Sequence, residues 1–520
     1  MKIVSVKEMV NIEKAANAAG HSYAAMMETA GRGLATIIQE RFSYLPGKYV
    51  IALVGAGNNG GDALVAIDYL LQWGWKAGAI LFKERPEEDP LVSRVLKSGG
   101  ELKDFSGPDQ RQDNLGSELA DTEILIDGVL GTGIKLPLRA PLNNLLGETK
   151  KILSQLDKSP IIIAVDCPSG IDCDSGEVDP SAIPADLTVI MAAVKGGLLR
   201  FPAYNFLGEI EVVDIGLPEG LEEWEKISRE TVEQDWVKSR LPERPRDAHK
   251  GTFGTGLIIA GSEKFPGAAI LAGLSAYRIG AGLVTMAVPE SIYQGLIKTL
   301  PEATWIKLSD QGGGISARAL PQIKNALDRP TACLAGPGLG DQESTGKFLR
   351  GLFQLENLPP LVLDADGLRH LSRIEHWPEK LPKGSVLTPH PGEMAVMTGM
   401  SVEAIQADRI GTAEKYAREW QQVVLLKGAH TIISSPGEKT RILISADPSL
   451  ARAGSGDVLA GIICGLIAQG VAPYDGAVCG SWIHARAGQV AGIKVGSPAA
   501  VLAGDISSLI GEILADIILV

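Results

Sequence analysis

The chain has 520 residues, of which 45% are hydrophobic, 21% charged and 5% aromatic, a composition typical of a folded globular protein and not of a disordered one. This length exceeds what one hydrophobic core usually supports, because a domain averages about 150 residues, so we expect roughly two to four domains. The formal net charge of −13 repels nucleic-acid backbones and anionic membrane surfaces, which leaves small phosphorylated ligands bound through local features.

The sequence predicts no targeting or membrane segment. Its N-terminal part becomes charged at Lys7 and Glu8 before any long apolar run, unlike a secretory signal. The most apolar stretch, VLAGIICGLIAQGVA, is too short to span a bilayer. Scattered cysteines without C-x-x-C spacing are typical of reduced, buried thiols: Cys167, Cys173, Cys333, Cys464 and Cys479. We therefore expect a cytoplasmic protein whose partners include no nucleic acid and no membrane.

Helical and strand patterns alternate through the first half of the chain. Apolar and small residues recur at helical spacing between Val4 and Phe42, which predicts two amphipathic helices. Short apolar strands that end in glycine or polar residues follow in the segments YVIALVGAG, KAGAILF, ILIDGVLG, IIIAVDCPSGID and DLTVIMAAVK, and NNGGDALVAIDYLLQWG is interpreted as loop and then helix. This alternation predicts a mostly parallel sheet covered on both faces.

A charged, proline-containing segment, EGLEEWEKISRETVEQDWVKSRLPERPRDAHKG, predicts a domain boundary near Arg229. The strand-then-loop pattern begins again after it, in GTGLIIAGS, GLVTMAVP, TACLAGPGLG, PLVLDADGL, SVLTPHPGE, VVLLKGAHT and TRILISA. We predict two tandem α/β domains, residues 1–228 and residues 229–520. The two halves share no obvious repeat, which indicates fusion and not duplication.

Three loops in the first half carry candidate ligand-binding residues. Ligands of open α/β sheets bind beyond the carboxyl ends of the strands, where GAGNNGGD, DGVLGTGIKLP and DCPSGID lie. A tight turn explains any one of these loops about equally well, but three together favour a site. Oxygen atoms of Asn59, Asp127 and Ser169 suit a monovalent or divalent cation, and the lack of histidine or cysteine partners argues against a transition metal. The spacing differs from G-x-G-x-x-G, which disfavours an ordinary NAD-dependent dehydrogenase.

The segments GAGNNGGDAL, DGVLGTGIKLP, DCPSGIDCDSGE and VKGGLLRFPAYNFLGEIEVVDIGLP resemble the NAD(P)H-hydrate epimerase family, whose domain is Rossmann-like and doubly wound. That family interconverts the R and S forms of reduced nicotinamide dinucleotide to which water has added at ring carbon C6. The resemblance implies potassium bound by Asn59, Asp127 and Ser169, and Asp166 as the acid or base. Lys195 is a weaker candidate, because a solvated loop lysine is the more ordinary interpretation.

The same resemblance implies a hydrate-binding surface. Its residues are Asn58, Asn59, Gly60, Gly61, Asp62, Gly131, Thr132, Gly133, Ile134, Lys135, Leu136, Pro137 and Asp166. The family commonly has glycine where this chain has Ala63, so the local conformation of the first loop is open to question.

In the second half, ARAGSGDVLAGII places a glycine loop in front of an apolar helix, an arrangement that suits a phosphate group. The question is why Asp457, a fixed negative charge, stands beside it. In kinases of the ribokinase-like fold such an aspartate takes the proton from the attacking hydroxyl, and phosphoryl transfer needs a base aligned with its acceptor. A helix N-cap is the alternative, but it explains the aspartate and not the preceding AGSG.

The segments HKGTFGTGLIIAGSEKFPGAAILAGLSAYRIGAG, AGPGLG, LDADGL, TPHPGEM and AGSGDVLAG resemble the ADP- or ATP-dependent NAD(P)H-hydrate dehydratase family, which is ribokinase-like. The resemblance implies contacts to the hydrate from Ala269, Gly338, His390 and Asp457. It implies contacts to the nucleotide from Lys427, Gly428, Ala429, His430, Thr431, Gly454, Ser455 and Gly456. Glu393 occupies the place of a metal-associated glutamate in related sugar kinases, so magnesium bridged by phosphates is expected.

The two resemblances cover nearly the whole chain and imply a fused enzyme that repairs hydrated NADH and NADPH. Its epimerase half interconverts the R and S hydrates, and its dehydratase half converts the S form to NAD(P)H at the expense of ADP, giving AMP and phosphate. ADP is favoured over ATP, and a homo-oligomer is expected. The alternative is a vitamin or sugar kinase of the ribokinase-like fold with a non-catalytic dinucleotide-binding module at its N-terminus.

Overall fold

The computed structural model describes residues 1–86, 88–105 and 115–519. The chain forms two compact units, Met1–Arg229 and Glu230–Val520. Each unit contains its own sheet with helices packed against it, so the prediction of two α/β domains in tandem is confirmed as a fold class.

The sheet of the first unit has seven strands, and every neighbouring pair is parallel. In spatial order the strands are Glu101–Asp104, Lys76–Leu81, Tyr49–Val54, Ile124–Gly128, Ile161–Val165, Leu187–Met191 and Glu209–Val213. The strand order reverses between Tyr49–Val54 and Ile124–Gly128. The loops after these two strands therefore diverge and leave a crevice, the usual ligand position in such sheets.

Helices cover both faces of this sheet, as the alternating pattern predicted. They are Val6–Ala18, Tyr23–Phe42, Asn58–Gln72, Pro90–Lys97, Leu115–Ala120, Leu142–Leu153 and Glu222–Glu225, with 3-10 turns at Gly196–Leu199 and Ala203–Phe206. One apolar cluster includes Leu34 and Ile67, and a second on the opposite face includes Phe82 and Leu145. Both helices predicted before Phe42 are confirmed. The first begins with a capping box, in which the Ser5 side chain accepts a hydrogen bond from the Glu8 amide and the Glu8 side chain accepts one from the Ser5 amide.

The second unit is built on a ten-stranded sheet. In spatial order its strands are Arg229–Thr231, Thr440–Leu443, Thr431–Ser434, Val423–Leu426, Val386–Leu387, Leu361–Leu363, Ala332–Ala335, Thr255–Ile259, Leu283–Pro289 and Thr304–Leu308. From Val423–Leu426 to Thr304–Leu308 all pairs are parallel. The strand Thr431–Ser434 is antiparallel to both of its neighbours, so one end of the sheet is a hairpin.

The helices of the second unit lie between these strands and after the last one. They are Gln234–Lys238, Pro266–Arg278, Glu290–Leu296, Leu320–Lys324, Glu343–Leu352, Asp366–Leu371, Pro391–Thr398, Val402–Ala407, Arg409–Trp420, Ser455–Ala468, Pro473–Val495 and Ala503–Leu519. Five 3-10 turns are Lys250–Phe253, Ala317–Ala319, Trp377–Lys380, Pro448–Leu450 and Pro498–Ala500. Short strands at Ile3–Val4 and Val194–Lys195 pair in the first unit, and Asp310–Gln311 and Gly314–Ile315 pair in the second.

The apolar helix Ser455–Ala468 is a core helix, as predicted. It is buried from Val458 to Ala468 and packs against the helix Pro266–Arg278. Its glycines allow this close approach, because a Cβ at Gly461 would lie 2.2 Å from the carbonyl oxygen of Ala272. Among the described residues, no helix is both long and apolar enough to cross a membrane.

Two candidate active sites

A cavity of about 600 Å³ lies in the first unit, at the point where the strand order reverses. The loops after Tyr49–Val54 and Ile124–Gly128 both border it. Most of the predicted hydrate-contacting residues line it, namely Asn58, Asn59, Asp62, Gly131, Thr132, Gly133, Ile134, Lys135 and Asp166. The structure thus brings together residues from three separate motifs.

The glycines of the NNGGD segment suggested a loop before a helix, but the segment is itself helical. Gly57 is the N-cap, and the helix begins at Asn58. Gly60 and Gly61 pack inward: a Cβ at Gly60 would lie 2.2 Å from the carbonyl oxygen of Gly55. Ala63, which follows them, is also fully buried in the same helix. Four of the predicted hydrate-binding residues are not among the described residues that line the cavity, namely Gly60, Gly61, Leu136 and Pro137.

Lys195 is buried, so its interpretation as a solvated loop lysine is wrong. The strand Val194–Lys195 pairs with Ile3–Val4, which carries the side chain inward until it is 1% exposed. Its Nζ forms an ion pair with Oδ1 of Asp166 and donates a hydrogen bond to the carbonyl oxygen of Met191 at 3.2 Å. Burial alone would lower the pKa of Lys195, but the Asp166 carboxylate outweighs burial and the pKa lies above its usual value.

Asp62 and Glu13 bring two more carboxyl groups to the same cavity. Burial raises the pKa of Asp62 well above its usual value, and the charges of Asp166 and Glu13 raise it further. Burial also raises the pKa of Glu13, which belongs to the helix Val6–Ala18. Sequence reasoning missed Glu13, because no motif marks one acidic residue of an amphipathic helix.

The predicted cation ligands lie beside one another near adjacent strand ends. The carboxylate of Asp127, 1% exposed, accepts hydrogen bonds from the Ser169 hydroxyl and from the Ser169 amide, the latter at 2.8 Å. The Asn59 amide contacts the carbonyl oxygens of Val165 and Leu130. Burial raises the pKa of Asp127. These hard oxygen atoms fit an alkali cation, and the described residues contain no group of three or more His, Cys, Asp or Glu suited to a metal ion.

A second cavity, of about 620 Å³, lies in the second unit beside the start of the helix Ser455–Ala468. Asp457 and Gly338 line it, as the sequence predicted, together with Lys264, Phe265, Ala268, Gly340, Asp341, Gln342, Asp366 and Arg369. The predicted contact Ala269 is fully buried, and its neighbour Ala268 reaches the cavity instead. Helix periodicity decides which of two adjacent alanines faces a cavity, and a motif does not show it.

Asp457 is the third residue of its helix and does not cap it. Gly454, with φ of 89°, is the N-cap, and no side chain caps this helix end. The N-cap explanation for Asp457 is therefore excluded. The pKa of Asp457 is raised to about 7, chiefly by burial and then by the charge of Asp364, while Lys427 opposes the shift. A carboxyl group with this pKa exchanges protons readily near neutrality.

A buried ion pair lies beside Asp457. Nζ of Lys427 lies 2.6 Å from Oδ1 of Asp364, which also accepts a hydrogen bond from the Thr388 hydroxyl at 2.7 Å. The carboxylate of Glu393 is 3.8 Å from the same ammonium group. A Cβ at Gly456 would lie 3.6 Å from Nζ of Lys427, so the glycine loop passes close to this pair. Asp364, within the LDADGL motif, was not singled out from the sequence.

His390 and Glu393 form a capping box at the start of the helix Pro391–Thr398. Nδ1 of His390 accepts a hydrogen bond from the Gly392 amide at 3.0 Å, and the His390 amide donates to Oε2 of Glu393 at 3.0 Å. The imidazole, about half exposed, is therefore held in one orientation, with Nε2 3.3 Å from Oε1 of Glu393. The two residues lie together, as the TPHPGE motif predicted.

Four residues of the predicted nucleotide segment, Lys427, Gly428, Ala429 and His430, connect the strands Val423–Leu426 and Thr431–Ser434, and the fifth, Thr431, begins the second of these strands. The guanidinium of Arg409 lies against this loop: its Nη2 donates to the carbonyl oxygens of Leu426 and Lys427 at 3.3 Å and of His430 at 3.4 Å. A Cβ at Gly428 would lie 2.3 Å from Nη1 of Arg409. Sequence reasoning missed Arg409, because it lies at the start of the helix Arg409–Trp420, outside the loop motif.

Two histidines near these loops are buried and neutral. Burial lowers the pKa of His430 to about 4, and it lowers the pKa of His484 to about 4 as well. Nε2 of His484 is 3.0 Å from the hydroxyl of Ser455, and both side chains lie in the core. The Ser455 hydroxyl is therefore directed into the protein, and its amide donates to the carbonyl oxygen of Arg452 at 3.2 Å, which leaves the backbone amides of Gly454 and Gly456 as the groups able to face an anion.

Family comparisons match both units of the chain. Residues 256–511 match the family described as NAD(P)H-hydrate dehydratase, and residues 23–197 match the YjeF-related protein N-terminus. The bifunctional NAD(P)H-hydrate repair enzyme Nnr of Moorella thermoacetica is 35% identical over 504 residues, which cover 94% of this chain and 92% of that one. The enzyme of the same name from Escherichia coli is 31% identical over 482 residues, which cover 91% and 86%.

A crystal structure of the ADP/ATP-dependent NAD(P)H-hydrate dehydratase from Bacillus subtilis, co-crystallized with ATP/Mg2+, is 30% identical and has a TM-score of 0.48. It covers 55% of this chain, and 98% of that chain is matched. The predicted fold class, a Rossmann-like doubly wound domain followed by a ribokinase-like α/β domain, is confirmed. Because relatives at this identity extend over both units, the chain belongs to the family of bifunctional NAD(P)H-hydrate repair enzymes.

Proposed function

We propose that this chain repairs hydrated NADH and NADPH in two steps. The first unit epimerises the R and S hydrates, and the second unit dehydrates the S form at the expense of ADP, giving AMP and phosphate. The observation that supports this most directly is Asp457, a largely buried carboxylate with a pKa of about 7 behind a glycine turn at a helix start. Family membership over both units supports the pairing of the two activities.

The dehydratase chemistry needs a base and a phosphate cradle. Hydroxide is a poor leaving group, so the C6 hydroxyl is first phosphorylated. Asp457 takes the proton of this hydroxyl while the hydroxyl oxygen attacks the terminal phosphorus of ADP. The amides of Gly454 and Gly456 and the start of a 14-residue helix stabilise the transferred phosphoryl group. The ring nitrogen then expels phosphate from C6, and loss of a C5 proton restores NAD(P)H. Gly338 and Ala268, which line the cavity, and His390 would contact the hydrate.

The nucleotide occupies the loop Lys427, Gly428, Ala429, His430 and Thr431. The ammonium of Lys427, kept protonated by Asp364 and Glu393, offsets phosphate charge. Glu393 would hold magnesium, directly or through water, and the cation would neutralise the phosphates. ADP is the phosphoryl donor in this proposal, and ATP is the alternative donor, so activity with the two nucleotides should be compared.

The epimerase site is the cavity of the first unit. Its substrate-binding residues are those of the predicted set that line the cavity, and Asp166 moves a proton to or from the C6 hydroxyl. Asn59, Asp127 and Ser169 would hold potassium, whose charge would offset that of the buried Asp127 carboxylate.

We also infer that the protein acts in the cytoplasm as a homo-oligomer. The five cysteines are all buried free thiols, as expected in a reducing compartment. Ile493 and Leu502, with 79% and 67% of their surface exposed, supply apolar surface for a subunit contact. Sedimentation velocity would measure the oligomeric state, and a monomer at micromolar concentration would contradict it.

The test is incubation of the full chain with a mixture of NADH-hydrate epimers and either ADP or ATP. We expect recovery of reduced-nicotinamide absorbance from both epimers, with one equivalent of phosphate released per NADH formed. A vitamin or sugar kinase with a non-catalytic first unit would instead leave the hydrates unchanged. The same assay with NADPH hydrate measures the preference between the two dinucleotides.

A further inference from the structure

The first cavity holds four ionisable side chains that come from four different elements of the fold. Glu13 lies on the helix Val6–Ala18, Asp62 on the first turns of the helix Asn58–Gln72, Asp166 after the strand Ile161–Val165, and Lys195 on the strand Val194–Lys195. Lys195 pairs with Asp166. Among the described residues, Asp62 has no cationic partner within ion-pair distance.

We propose that Asp62 and Asp166 form an acid–base pair that epimerises the hydrate by removing and re-adding water at C6, and that Lys195 is a positioning residue that orients the Asp166 side chain. This inference rests on the proposed epimerase function and names the groups that perform it. It gives Asp62 a role in catalysis in addition to binding.

The contacts of Asp166 fix its carboxylate in place. Its Oδ1 accepts a hydrogen bond from the Met191 amide at 2.9 Å and is paired with the ammonium of Lys195. That ammonium donates a second hydrogen bond, to the Met191 carbonyl oxygen. Three polar contacts therefore join the strand Leu187–Met191, Lys195 and the carboxylate, so the base has one orientation.

The electrostatic surroundings of Asp62 differ from those of Asp166, which is paired with an ammonium group. Asp62 is 7% exposed, and the charged groups that act on it are Asp166, Glu13 and Lys195. Lys83 lines the same cavity, while Cys167 and Cys173 lie near Lys195. Burial, followed by the two carboxylates, raises the pKa of Asp62 and outweighs the ammonium group. Of the two carboxyl groups in this cavity, Asp166 is thus paired with an ammonium group and Asp62 is not, and such unlike surroundings are typical of acid–base pairs.

The position of the two groups in the sheet leaves room for the nicotinamide ring. One strand, Ile124–Gly128, separates Tyr49–Val54, which leads to the Asp62 helix, from Ile161–Val165, which leads to Asp166. Neighbouring strands lie about 4.8 Å apart, so these two strand ends are roughly 10 Å apart. A six-membered ring fits in a gap of this width, and both Asp62 and Asp166 line the cavity at this position.

The reaction balances without any further reagent. The lone pair of the ring nitrogen expels the C6 hydroxyl, which takes the proton of Asp62 and leaves as water, and an iminium ion remains. A water molecule attacks C6 from the other face, forms the new C–O bond and gives its proton to Asp166. The pair ends with its protonation states exchanged, which is the starting state for the reverse reaction. Proton exchange with solvent resets it for another turnover in the same direction.

The first test uses the full wild-type chain without nucleotide, so that no dehydration occurs. One purified NADH-hydrate epimer is incubated in oxygen-18-labelled water. The two epimers are then separated by chromatography, and the oxygen-18 content of each is measured by mass spectrometry. We expect one labelled oxygen in every molecule of the newly formed epimer, above the label acquired in an enzyme-free control. An unlabelled product would overturn the mechanism, because the hydroxyl would then have stayed on the substrate.

The second test compares substitutions of equal size. Asp62→Asn and Asp166→Asn should each slow epimerisation at least about 100-fold, with the hydrate still bound. Asp68→Asn is the matched control: Asp68 is buried on the same helix but pairs with Arg94 away from the cavity. We expect it to lower the melting temperature and leave the rate unchanged. An Asp62→Asn variant as fast as wild type would remove Asp62 from the mechanism.

The role of Lys195 is tested by a pH profile. Lys195→Gln leaves a buried carboxylate without its counter-charge, which favours protonation, so the acidic limb of the rate profile should move to higher pH. Lys195→Arg should restore part of the shift. An equal loss at every pH would show that Lys195 only supports the fold. If the wild type failed to epimerise at all, the proposed function would fail, whereas the outcomes above concern the mechanism alone.

Discussion

The ammonium of Lys427 lies 2.6 Å from Oδ1 of Asp364, and the charges of both residues act on Asp457. Burial and the acid raise the pKa of Asp457 while the lysine lowers it, and the resulting pKa of about 7 lies near the operating pH that suits a general base. This pair connects the predicted nucleotide loop to the predicted base, two motifs that are about 30 residues apart in the chain.

Asp457→Asn should abolish dehydration and preserve nucleotide binding. The amide has nearly the same size, and the backbone of Gly454–Gly456 is unchanged, but the base is absent, so turnover should fall by about 100-fold or more. Calorimetric titration with ADP measures binding, and the absorbance assay measures dehydration. Epimerase activity of the same preparation is the internal control, and near-normal dehydration would contradict the assignment.

The same substitution should stabilise the protein at alkaline pH. Because the pKa of Asp457 is raised from 3.8 to about 7 in the folded state, this group takes up protons on folding, and its contribution to stability is lost as the pH rises through that interval. Melting temperatures of wild type and Asp457→Asn should therefore differ more at pH 8 than at pH 4. A constant difference across this range would mean that the carboxyl group is not perturbed by folding.

Arg409→Gln should weaken nucleotide binding without removing the base. Three carbonyl oxygens of the nucleotide loop lose their donor, and each such charged hydrogen bond contributes about 1.5 kcal/mol or more, so we expect KM for ADP to rise at least tenfold. The value of kcat should change by less than about threefold. Lys415→Gln, which breaks an exposed ion pair with Glu419 on the same helix, is the control. A fall in kcat alone would argue against a role in loop position.

Asp127→Ala should reduce epimerisation and its dependence on potassium together. The substitution removes the buried carboxylate of the proposed cation site, so we expect at least about a tenfold lower rate at saturating potassium. Ser169→Ala, a smaller change, should raise the potassium concentration needed for half-maximal rate. Exchange of potassium for tetramethylammonium tests the wild type. A wild-type rate indifferent to this exchange would count against the site.

The two units should work as separate pieces. Arg229–Thr231 forms the edge strand of the second sheet, and the Val232 amide donates to the Ile442 carbonyl oxygen, so the second piece should begin near Ser228 to keep this strand. The first piece, residues 1–229, should epimerise hydrates without nucleotide. The second should repair only the S form at full rate, and mixing both should restore complete repair. Equal consumption of both epimers by the second piece would make the epimerase role unnecessary.

Much of the fold follows from the sequence because buried parallel strands are continuous apolar runs. Tyr49–Val54 and Ile161–Val165 were visible for this reason. The edge strands Glu101–Asp104 and Thr304–Leu308 were not among the predicted strands. They carry polar side chains at partly exposed positions, so their pairing depends on a neighbour that a local pattern does not reveal.

The candidate sites divide in the same way. Motifs indicated Asp166 and Asp457, because glycine loops after strands mark them in the sequence. The partners that set their ionisation are Lys195 and Asp364, and these are brought in by contacts between distant segments. Burial of Lys195 depends on pairing of its strand with Ile3–Val4, almost two hundred residues earlier. Local spacing contains no information on such a contact, so the ordinary solvated state was the reasonable but wrong interpretation.

The close packing of the helix Ser455–Ala468 has a consequence for hydrogen exchange. Gly461 and Gly465 allow its backbone to touch the helix Pro266–Arg278, and a Cβ at Gly465 would lie 2.4 Å from Cγ2 of Ile279. Helices locked in this way open only when the surrounding core opens. The amides from Val458 to Ala468 should therefore exchange with deuterium at the rate of global unfolding of the unit, so that the helix carrying Asp457 is among its slowest-exchanging segments.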